Sequence, residues 1–183
     1  MCTTAGSITP AVTAAQQAGR QLTIPLEPVG AVTITTLVDN VTDLLAMDAG
    51  PARRPFIGDA VRGSSPLFEG GWLYEGLIAE HGFSVLVTVE RGGTAHRILF
   101  DAGLSPDALV TNMRRLGLDP GDVEIIVLSH GHSDHTTGLD GFIRAVGRAS
   151  VPVLIHPDFW NRRRLVIPGR DPVELPTTSR QAL

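Results

Sequence analysis

Between residues 130 and 135 the chain reads His130-Gly131-His132-Ser133-Asp134-His135, which places three of its six histidines and a carboxylate within one short run. Imidazole nitrogen and carboxylate oxygen are ligands for borderline divalent ions such as zinc. In extended backbone, side chains two apart point the same way, so His130 and His132 can converge on one ion. A turn into a following helix would bring Asp134 and His135 toward a second. Gly131 and the small Ser133 leave room near the backbone for metal and water. A lone histidine would read as part of a polar loop, whereas four potential ligands at this spacing predict a metal site.

That run must be held by the elements around it. Before it lies Val123-Glu124-Ile125-Ile126-Val127-Leu128, a nearly all-apolar stretch that predicts a strand buried on both faces. After it, Leu139, Ile143 and Val146 recur at helical spacing and Gly147 is placed to end the helix. Upstream, Ala31 to Val38 is rich in β-branched residues and reads as a strand. Phe83 to Val89, the turn Arg91-Gly92-Gly93-Thr94 and His96 to Phe100 read as a hairpin. Ser105-Pro106-Asp107 predicts a helix start, continued by Leu109, Val110, Met113 and Leu116 and closed by Gly117. Val151 to Ile155 is a further short strand, and Pro157 to Arg164 a helical turn or two. The stretch from Val41 to Glu80, broken by repeated Pro and Gly, reads as a long loop, with Trp72 and Tyr74 pinning it to the body or lining a site. Residues 1–30 read as a flexible arm, and 31–183 as an α/β domain with helices packed on a sheet.

The run resembles the H-x-H-x-D-H signature of the metallo-β-lactamase superfamily. Phe100-Asp101-Ala102-Gly103 is similar to that family's F-D-x-G, and Thr136-Thr137-Gly138-Leu139 to its T-G-G-L. The resemblance implies an αββα sandwich holding two divalent ions, zinc, with iron or manganese as alternatives. His130 and His132 would then serve the first ion, and Asp134 and His135 the second. Asp134 would also be catalytic, relaying a proton from an attacking water. Asp101 would orient a ligand by hydrogen bonding, although a strand-end aspartate can equally cap a turn. Thr36 to Asn40, Glu80 to Ser84 and Asn112 to Leu118 further resemble a branch of the family around a dihydropterin ribofuranosylaminobenzene phosphate synthase.

The family pattern also implies a histidine, a bridging aspartate and another histidine from a C-terminal half. His156 is the one histidine after His135, and it follows too closely to stand in for them. The chain therefore reads as the first half of such a sandwich, marginally folded and catalytically impaired by itself. Of the other histidines, His81 reads as a surface residue or as facing the metal pocket, and His96 as solvent-facing in the hairpin. Arg162-Arg163-Arg164 reads as a solvated basic turn, or as a grip on a phosphate-bearing substrate.

Composition bounds the rest. At 183 residues and 43% hydrophobic content a sizeable core is available. A net charge of −4 gives no general attraction to nucleic acid or anionic membrane. Cys2 is the only cysteine, so neither an intrachain disulfide nor a cysteine-based zinc site can form. With no secretory signal pattern at residues 1–7, the cytoplasm is expected. The expected function is hydrolysis of an ester, amide or phosphate-type bond in a small molecule. The alternatives are a pterin-pathway synthase of the same fold and a non-catalytic partial metal-binding module. A second copy or a C-terminal-half partner is the expected protein contact.

Overall fold

The computed structural model describes residues 2–4, 25–147, 150–181 and 183. Its centre is a five-stranded mixed sheet in the order β2-β5-β6-β7-β8. These strands are β2 (Ala31–Val38), β5 (Ser84–Arg91), β6 (Thr94–Phe100), β7 (Ile125–Val127) and β8 (Val153–Leu154). The first three pair antiparallel, and β6-β7-β8 pair in parallel. Each parallel crossover carries a helix: α1 (Ala108–Arg115) between β6 and β7, and α3 (Leu139–Val146) between β7 and β8. The hairpin, the Ala31 strand and the Leu139 helix lie where the sequence places them.

One face of the sheet carries the core. Leu86, Leu99 and Ile126 stand in register across β5, β6 and β7 and are at most 3% exposed. With Leu37 they pack with Leu109 and Met113 of α1 and Phe142 of α3 in one cluster. Full burial of such side chains contributes roughly 1.5–3 kcal/mol each. The neighbouring row, Ile34-Val87-Ile98-Ile125, faces the other way, and its outer members Ile34 and Ile125 are 65% and 39% exposed. This corrects the expectation that the Val123–Leu128 strand is buried on both faces. Helices cover one side only, so Ile126 is shielded and Ile125 is not. The result is an α/β layer pair whose second sheet face is apolar, exposed at Ile34 and Ile125 and half-buried at Val87 and Ile98 between them.

The loop from Val41 to Glu80 contains a small hairpin of β3 (Arg62–Ser64) and β4 (Trp72–Tyr74) that the sequence did not reveal. Arg62 lies over the Trp72 ring, and Trp72 meets Tyr74 edge to face, so the aromatics pin the hairpin itself. Glu75 then ties the loop to α1 through Arg114 and Arg115, which hold its carboxyl below the usual range. Asn112, fully buried on α1, donates to the carbonyls of Leu37 and Ile78 and accepts from the Ile78 amide.

α1 begins at Ala108, later than the Ser105-Pro106 signal predicts. Glu80 reaches across and accepts the amides of Leu104 and Ser105, so these residues belong to a clamped loop rather than a helix turn. The Arg162–Arg164 stretch is not a solvated turn. Arg163–Leu165 form β9, paired with β1 (Cys2–Thr4) and β10 (Val173–Leu175) in a separate sheet. Cys2–Thr4 are the described part of the expected arm before residue 25. The rest of the arm to Ile24 lies outside the described residues.

Candidate metal centre

β7 delivers the chain to Ser129, and α2 (Ser133–Thr136), a single helical turn, carries it away. Between them the backbone at His132 is extended, as the alternation argument requires. The rings of His130 and His132 come together, with His130 Nε2 2.9 Å from His132 Nδ1. The His130 and His135 ring centroids are 4.2 Å apart. His135 Nε2 lies 3.4 Å from Asp134 Oδ2. All four residues of the predicted set thus meet at one strand end, as two pairs.

Asp101 organises both pairs. It is 1% exposed and sits at φ 56°, the sole non-glycine in the left-handed region among the described residues. Aspartate visits that region more readily than most residues, at some cost in strain. The backbone there accepts Ser84 Oγ at 2.7 Å and donates to the Val127 carbonyl. Its carboxylate is fully used: Oδ1 accepts the Ser129 amide at 2.8 Å, and Oδ2 accepts Ser129 Oγ at 2.7 Å and His135 Nδ1 at 2.8 Å. Ser129 Oγ in turn lies 2.9 Å from His130 Nδ1. One buried carboxylate therefore fixes His135 directly and His130 through a hydroxyl. With Nδ1 as the N–H in each ring, both Nε2 lone pairs face the cluster. Asp101 makes both kinds of contact open to it, capping the Ser129 amide and meeting His135. Ser129 was missed by sequence reasoning, although its place directly before His130 was the available signal.

Burial lowers the His130 pKa below the usual histidine range, reinforced by the nearby His135 and His132 and opposed by Asp101 and Asp134. His130 thus stays neutral to lower pH than an ordinary histidine. As they stand, no three His, Cys, Asp or Glu side chains among the described residues close round a single point. The pairs nevertheless fit an ion by their donors: neutral imidazole nitrogens oriented by carboxylate and hydroxyl partners, beside a free carboxylate oxygen.

The other candidates separate clearly. His81 Nε2 lies 3.5 Å from Asp134 Oδ2, which puts His81 at the cluster. His96 pairs with Glu124 at 3.0 Å on the sheet. His156 accepts the Asp158 amide at the start of a 3-10 turn, Pro157–Trp160. Arg163 donates to the carbonyls of Gly131, Phe159 and Asn161 and so braces the histidine loop from behind.

A mixed sheet with helices packed on it is the fold of the metallo-β-lactamase class. The chain belongs to the metallo-beta-lactamase superfamily, whose profile matches residues 78–178, over half its length. Over 82 residues it is 37% identical to the 7,8-dihydropterin-6-methyl-4-(beta-D-ribofuranosyl)-aminobenzene-5'-phosphate synthase of Methanocaldococcus jannaschii, covering 45% of this chain and 28% of that protein. It is 44% identical over 66 residues to an uncharacterized protein of the same organism, covering 36% and 24%. Among solved structures it is similar to the Rm3 metallo-beta-lactamase, at 29% identity and a TM-score of 0.34, covering 45% of this chain and 29% of that one. The chain spans under a third of the length of these relatives.

Asp101→Asn should weaken metal retention about 10–100-fold. An asparagine amide has one acceptor oxygen for the three donors now satisfied and points an N–H₂ at one of them. Competition with a chromogenic chelator measures this. Unchanged affinity would remove Asp101 from the site, and loss as complete as in a His130→Ala/His132→Ala variant would make it a direct ligand.

Proposed function

We propose that this chain carries the histidine-rich part of a dinuclear metal centre performing metallo-hydrolase chemistry on a small molecule. The observation that carries the reading is the double role of buried Asp101, which orients His135 directly and His130 through Ser129. An ion pair with no ligand to orient would not call for both imidazoles to be fixed with Nε2 turned to the same cluster. His130 and His132 would hold one ion, and Asp134 and His135 the other. Zinc suits this nitrogen and carboxylate set, and iron or manganese would also be accepted by it. When bound, the ions supply Lewis-acid chemistry, making water nucleophilic near neutral pH and polarising the bond to be cut. Asp134, partly open to solvent beside His135, takes the proton at a carboxylate oxygen.

Among the described residues no helix is long and apolar enough to cross a membrane. We assign the protein to the cytoplasm, in keeping with its single cysteine. The open sheet face would be covered by a C-terminal-half partner or a second copy. A second reading is supported by the likeness to the dihydropterin synthase: group transfer to an acceptor other than water, on a pterin or phosphoribosyl type of substrate. A screen of the zinc- or manganese-loaded chain on esters, amides and phosphodiesters, with and without an amine acceptor, separates the two. Hydrolysis lost in Asp134→Ala supports the first reading. Product formed only with the acceptor supports the second. The chain by itself is expected to be impaired, so the screen is run with and without a C-terminal-half partner, and metal-loaded protein inert in every arm would contradict each.

A further inference from the structure

Asp134 Oδ2 is flanked by two imidazole nitrogens: His135 Nε2 at 3.4 Å from within the motif, and His81 Nε2 at 3.5 Å from outside it. His81 lies in Glu80-His81-Gly82, just before β5, and the backbone on both sides of it is held against the site. On one side, Glu80 accepts the amides of Leu104 and Ser105, each at 2.8 Å, and donates its own amide to the Asp39 carbonyl. On the other, the Phe83 amide donates to the Asp134 carbonyl, and the Gly103 amide to the Phe83 carbonyl. Gly82 makes this approach possible. Its φ is 145°, and a Cβ there would lie 2.4 Å from the Asp134 carbonyl oxygen. A glycine that admits the backbone to within contact of Asp134 also sets the preceding imidazole beside the Asp134 carboxylate.

We propose that His81 is a protein ligand of the second ion, its Nε2 joining Asp134 and His135. This rests on the metal-centre reading given above. Three protein donors with an open position are the usual complement of a catalytic zinc site. The other histidines outside the motif are committed elsewhere: His96 to Glu124, and His156 to the turn at Pro157. His135 uses Nδ1 on Asp101, so Nε2 is the atom it turns toward Asp134. The His81 side chain is 78% exposed, so it can rotate onto an ion without disturbing the core.

The test is titration of the metal-free chain with cobalt(II), followed by calorimetry and by the visible absorption of the bound ion. Wild type, His81→Ala, His81→Gln, His96→Ala and His130→Ala/His132→Ala are compared after each is shown to melt like wild type. Wild type should take up two equivalents. Both His81 variants should keep the first at unchanged affinity and bind the second about 100-fold more weakly, with a changed cobalt spectrum for that equivalent. His96→Ala should match wild type. Two equivalents bound at wild-type affinity and with an unchanged spectrum in either His81 variant would overturn the assignment of His81 alone. Wild type binding no cobalt, or a His130→Ala/His132→Ala variant binding as well as wild type, would overturn the metal-centre reading and His81 with it.

Discussion

Substituting Gly138→Ala is expected to destabilise this chain by on the order of 3 kcal/mol and to disrupt the proposed metal centre with it. Gly138 has ordinary helical φ and ψ, so its backbone does not demand glycine. What demands it is space. A Cβ at this position would lie 1.8 Å from the Ala102 carbonyl oxygen, which is main chain and cannot rotate away. Ala102 is one residue from Asp101, and the same contact region contains the Ala102 amide bonded to the His135 carbonyl and the Gly138 amide bonded to that of Gly103. Relieving the overlap must push α2 and α3 off the strand end that carries Asp101. A loss of this size is a large fraction of the roughly 5–15 kcal/mol a whole domain commands. For a chain of this length the thermal midpoint should fall by about 10 °C. Circular dichroism melts of wild type, Gly138→Ala and, as an exposed neighbour, Asp140→Ala would show it. An unchanged midpoint for Gly138→Ala would mean that the strand end and α2 are not packed as described.

The sequence pointed to the candidate cluster because its members are local. His130, His132, Asp134 and His135 sit in six consecutive positions, and alternation followed by a turn suffices to gather them. The β2 strand, the β5-β6 hairpin and α3 were legible for the same reason, through β-branched content, a Gly-Gly turn and helical spacing ended at Gly147, whose φ is 63°. What escaped depends on contacts distant in sequence. The role of Asp101 was open because His135 and Ser129 lie 34 and 28 residues away, and neither separation leaves a pattern. His81 was left open between the surface and the metal pocket because the Gly82 approach to Asp134 exists only in the fold. α1 began later than its cap signal because Glu80, also distant, takes the amides that a helix start would leave unpaired. The β3-β4 hairpin was missed because three-residue strands carry too little alternation to be seen.

The second large effect concerns the first pair of imidazoles. Removing His130 and His132 together deletes the 2.9 Å nitrogen pair and leaves only the second group, Asp134 and His135 with His81 beside them. Loss of both nitrogen donors of the first pair should lower zinc affinity for the first ion by at least about 1,000-fold, on the scale of the roughly 10–100-fold that loss of a mere orienting partner costs. His132 is partly exposed and His130 lies at the strand end, outside the core cluster, so the fold should survive the change. The most direct measurement is elemental analysis of wild-type and His130→Ala/His132→Ala protein after equilibration with excess zinc and removal of free metal. If these residues form a metal centre, wild type retains two equivalents of zinc and the double variant, folded by its melt, no more than one. Equal metal content in the two proteins would contradict it.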